Sequence, residues 1–91
     1  MAYEEEGRKA ASDLARRFGE LREARCESKS PWKIVLVFSG GTFEVPSDFI
    51  FKFGYSGSGT DCFHAFLEAS GFKVSKADVV KAVEGTVFRA A

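Results

Sequence analysis

The chain has 91 residues, 45% of them hydrophobic and ten of them Phe, with 13 basic and 13 acidic side chains and a single His. That length holds one hydrophobic core rather than two, and that composition lies far from the apolar-poor, highly charged makeup of a disordered chain. A formal charge of zero excludes a global field that could hold a polyanion, so nucleic acid is not an expected partner.

The first 26 residues spell a helix, because Leu14, Phe18 and Leu21 recur at i, i+4 and i+7 with Ala10, Ala11 and Ala24 near the same stripe. Six acids and six bases alternate along this segment, the pattern of a solvated face rather than a phosphate-binding one. Gly19 interrupts it at a cost of about 1 kcal/mol relative to Ala, which suggests close approach to another backbone. Glu27 to Pro31 ends the helix with polar residues and a proline.

Ile34–Phe38 and Phe43–Val45, joined through Ser39-Gly40-Gly41-Thr42, predict a hairpin. With Gly40 and Gly41 as the loop, Phe38 lies opposite Phe43, and Ile34, Leu36, Phe38, Phe43 and Val45 share one face. Phe49-Ile50-Phe51-Lys52-Phe53 alternates as a third strand, so residues 33–53 form a β-meander. Residues 60–85 hold a helical pair. The first helix runs from Thr60 to Ser70, with Ser58 and Asp61 as a capping box, Phe63, Phe66 and Leu67 buried, and Gly71 and Phe72 closing its end. Ser75 and Asp78 start the shorter second one, with Val79, Val80 and Val83 inward; Thr86-Val87-Phe88 is a candidate edge strand. The expected fold is one α+β domain over 1–91: an N-terminal helix, a three-stranded antiparallel sheet, two helices and that candidate last strand.

No apolar run reaches the roughly 20 residues that cross a bilayer, and Glu4-Glu5-Glu6 is unlike the start of a signal peptide. No membrane partner and a cytoplasmic location are therefore expected. Cys26 and Cys62 share no C-x-x-C or His-spaced pattern, which predicts two reduced thiols, no disulfide, no metal and no other cofactor.

Chemistry concentrates at the glycine-rich loop Gly54–Thr60, where Tyr55, Gly57, Ser58, Gly59 and Thr60 are the candidate ligand-binding residues. A helix N-terminus behind such a loop can direct N–H groups at an anion, although the loop lacks the lysine of a P-loop and the third glycine of a dinucleotide fingerprint. Its residues Phe51-Lys52-Phe53-Gly54-Tyr55-Ser56-Gly57-Ser58-Gly59-Thr60 resemble a strand–G-Y-x-G-x-G-P–helix pattern of small bacterial and phage domains. The resemblance covers about twenty residues and departs at Thr60, where the pattern has proline. It implies a bacterial or mobile-element origin and brings no catalytic residue. His64, Asp61 and Glu68 can share a helix face but form the polar complement of the Phe63 stripe.

Without an assembled catalytic set, the residues favour a non-enzymatic module that binds a protein partner or itself as a homodimer. Leu14, Phe18, Leu21 and Trp32 are its candidate interface. The alternative is a small-ligand or anion-binding protein, enzymatic or not, that uses the Gly54–Thr60 loop.

Overall fold

The computed structural model describes residues 3–90. Their order is α1 (Tyr3–Phe18), β1 (Leu21–Lys29), β2 (Trp32–Phe38), β3 (Gly41–Val45), α2 (Ser58–Ala69), α3 (Lys76–Lys81) and β4 (Thr86–Arg89). The α+β class holds, with an N-terminal helix, two later helices and an antiparallel four-stranded sheet of order β3-β2-β1-β4. The candidate strand at Thr86 is β4, paired with β1 at one edge.

Two expected elements differ. The N-terminal helix stops at Phe18 instead of running to residue 26, because Gly19 takes φ +87, the left-handed conformation that ends a helix. Gly19 is thus a terminator, and the tip of the β2–β3 hairpin seals the end: Gly40 N–H donates to the Phe18 carbonyl at 2.7 Å. Residues 21–29 are a strand whose register shifts between Leu21 and Glu23. That bulge lets Leu21 and Ala24, three apart, both point inward, so a bulged strand imitates helical spacing.

The expected third strand at Phe49–Phe53 is the other correction. This segment has no ladder partner; its backbone bonds go from Lys52 N–H to the Gly59 carbonyl and from Gly54 N–H to the Val79 carbonyl. Its Phe alternation serves packing instead. Phe51 lies 5.3 Å from Phe63 and 4.9 Å from Phe66, and Phe53 meets Trp32 edge-on at 5.4 Å. The place beside β2 goes to β1.

The β2–β3 hairpin forms with Ser39 and Gly40 as its loop, so Phe38 pairs with Gly41 and Leu36 with Phe43. This register is two residues from the expected one, and an even shift keeps every side chain on its face. The inward face carries Leu21, Ala24, Cys26, Ile34, Leu36, Phe38 and Val45, all buried. Both long helices cover it: Phe18 of α1 stacks 5.5 Å from Phe38, and Phe63 of α2 lies 6.4 Å from Phe88. The opposite face needs no helix, because Val35 and Val37 there are half-buried among Glu23, Arg25 and Arg89.

α1 and α2 pack closely at Gly7, where an added Cβ would lie 2.2 Å from the Cys62 carbonyl oxygen. α2 ends as expected in a Schellman motif, with Phe72 N–H on the Leu67 carbonyl, Gly71 N–H on that of Glu68, and φ +92 at Gly71. The Ser75–Asp78 capping box opens α3, which buries Val79; the helix ends at Lys81, short of Val83, which is 64% exposed and not inward as expected. No helix among the described residues is long and apolar enough to cross a membrane.

Candidate functional site

β3 ends the sheet, so among the described residues no further strand covers the inward side chains at that edge. α1 lies over it but fully buries only Gly7 and Ala11, leaving the stripe Ala10, Asp13 and Leu14 at the border. After Val45 the chain turns at Pro46, with Phe49 N–H on the Pro46 carbonyl at 3.0 Å, and sends Phe49 back along the same border. These pieces enclose a groove of about 250 Å³ whose apolar walls are Ala10, Leu14, Phe43, Val45, Phe49 and Phe51. Phe49 is 41% exposed while its ring leans edge-on against Phe51 at 4.9 Å. A large aromatic side chain left in water beside an apolar groove marks a place where further burial is favourable.

Of the candidate interface residues, Leu14 lines this groove and Phe18 flanks it, 5.8 Å from Phe43. Leu21 is 3% exposed and belongs to the core of its own chain. Trp32 sits elsewhere, against Phe53 and Tyr55 with the Lys52 ammonium 5.2 Å above its ring. Phe43 and Phe49 are groove residues that the sequence places in strand rows, Phe43 on the core face and Phe49 in the third strand. Their exposure follows from lying at an edge, which no residue pattern encodes.

The glycine-rich loop is drawn inward. Gly59 is pressed against the chain before it, where a Cβ would meet the Ile50 carbonyl oxygen at 2.6 Å. Thr60 is fully buried, and its hydroxyl donates to the Tyr55 carbonyl at 2.5 Å. Gly57 is the extended N-cap of α2 and no side chain caps the helix there. The expected Ser58–Asp61 capping box is absent, because Ser58 already lies in the helix and Asp61 pairs with Lys76 at 2.7 Å. Tyr55 is 43% exposed at the loop surface. The loop's five candidate residues therefore divide, with Tyr55 and Ser58 outward, Gly57 half-buried, and Gly59 and Thr60 inward.

His64 is partnered as well: its Nε2 lies 2.9 Å from the Val74 carbonyl, which ties α2 to the turn before α3. Among the described residues no group of three His, Cys, Asp or Glu could hold a metal ion. Cys26 and Cys62 are free and buried. Burial pushes the Cys26 thiol up to about 12, and burial with the charges of Glu6 and Glu4 pushes Cys62 up to about 11, so neither is a nucleophile at neutral pH. No buried polar side-chain atom among the described residues lacks a partner. Among the described residues the buried side chains thus offer no unsatisfied polar group to a ligand, and the groove is lined mainly by apolar side chains.

The chain matches no protein-family model, no curated protein and no solved structure.

Proposed function

We propose that this domain is a non-enzymatic protein-binding module that takes an apolar segment of a partner, or of a second copy of itself, into the groove between α1 and β3. The observation that carries the reading is the exposed Phe49 beside Leu14 and Phe43 at an uncovered sheet edge. Burying one such aromatic side chain contributes roughly 1.5–3 kcal/mol, enough for a few of them to sustain association. The free buried thiols agree with a cytoplasmic setting. The likeness of Phe51–Thr60 to bacterial and phage domains supports a bacterial or mobile-element origin.

The test is selection of displayed random peptides on sparsely immobilised protein, followed by NMR mapping of the winners. Peptides that shift Leu14 and Phe43 and lose binding to Phe49→Glu are the expected result. No selection, or shifts confined to other surfaces, would remove the groove from consideration. A second reading, anion capture at the N-terminus of α2, is supported by the absence of a side-chain cap at Gly57.

A further inference from the structure

The backbone of β3 narrows what can fill the groove. In a two-residue hairpin the pair next to the turn exchanges both hydrogen bonds, and bonded and non-bonded pairs then alternate. Phe38–Gly41, Leu36–Phe43 and Ile34–Val45 are the bonded pairs, so Thr42 and Glu44 turn their N–H and C=O groups away from β2. Nothing lies beyond β3 in the sheet, and among the described residues no other backbone bond reaches Thr42 or Glu44. A bare sheet edge alongside an apolar groove fits an extended strand, which pairs with the edge and lays alternate side chains into the groove.

Building on the groove reading, we propose that this strand is β3 of a second copy of the chain, paired antiparallel about a two-fold axis at Phe43. The edge is self-complementary in that register. Thr42 stands opposite Glu44 of the second copy, and Glu44 opposite its Thr42, so no like charges meet and all four outward-facing residues bond. Phe43 meets its own copy on the groove side, where both Leu14 and both Phe49 side chains gain cover.

Such an interface uses the same patch on both copies, as closed two-fold symmetry demands.

Sedimentation equilibrium of the full chain over the micromolar range reads the result directly. The mass is expected to rise with concentration from 10.0 kDa towards twice that value. Thr42 is exposed and outside the β2 hydrogen bonds, so its variants keep the fold, as circular dichroism will verify. Thr42→Lys creates two attractive pairs with Glu44 and should tighten the dimer about fivefold, and Thr42→Glu should weaken it about as much. Glu44→Pro, which removes an outward N–H and spares the ladder to β2, should abolish it. A chain that stays monomeric throughout, or a dimer indifferent to the sign of residue 42, overturns the proposal. A monomer that still selects groove-binding peptides sinks only the second copy; a monomer that selects none sinks the groove reading as well.

Discussion

Replacing Gly7 by Ala sets two effects of known size against each other. Within a helix the change is favourable by about 1 kcal/mol, because Ala surrenders less backbone freedom on folding. At this site the new methyl would stand 2.2 Å from the Cys62 carbonyl oxygen, 3.0 Å from the Phe66 nitrogen and 3.2 Å from the Ala65 Cβ. The first two obstacles are backbone atoms of α2, so no rotamer change relieves them, and α1 must move off by about 1 Å or tilt. Overpacking a fitted interface costs about 1–3 kcal/mol, and an immovable obstacle belongs at the upper end. The clash wins, leaving a net loss of about 2 kcal/mol, which lowers Tm by roughly 10 °C in a domain of this size. Urea titration followed by circular dichroism measures it, with Gly71→Asn as the control, since Gly71 has φ +92 and nothing within 4 Å of its absent Cβ. If Gly7→Ala proves neutral or stabilising, the helices do not approach this closely and the packing of α1 on α2 is wrong.

Three further outcomes follow from local chemistry. Ser75→Ala removes the acceptor of the Asp78 N–H and should cost about 1 kcal/mol; amide exchange at Gly54, whose N–H is held by the Val79 carbonyl of α3, should accelerate with it. Protection of Gly54 that persists in the variant would show that α3 does not depend on its cap. Native protein should resist Ellman's reagent. Folding raises Cys26 from the usual 9.0 to about 12 and Cys62 to about 11, so their stabilising contribution is intact below pH 9 and lost as pH climbs towards 12. Rapid labelling of either thiol in folded protein would contradict this burial. Finally, millimolar sulfate should leave the amide signals of Gly57 to Asp61 unmoved on the groove reading; saturable shifts there would favour anion capture at α2 instead.

Several features follow from local sequence alone, although the Ser58–Asp61 pair shows that a local capping pattern does not guarantee a cap. The Ser75–Asp78 box, the Gly71–Phe72 helix end and the inward face of the β2–β3 hairpin depend on caps, left-handed glycine and period-two alternation, all of which lie within a turn or a strand. Tertiary structure decided the remainder. Leu21 continues the Leu14–Phe18 stripe at helical spacing, and only a bulge against β2 makes it the first inward residue of a strand. Phe49, Phe51 and Phe53 alternate like a strand, yet their backbone is claimed by Gly59 and Val79 while two of the rings fill the space under the sheet. Gly7 looks like an ordinary weak point until α2 is set against it. The groove is the clearest case: Phe43 and Phe49 differ from core Phe only because β3 falls at an edge, and strand order is fixed by which pairing buries most surface across the whole chain, a quantity that no local pattern contains.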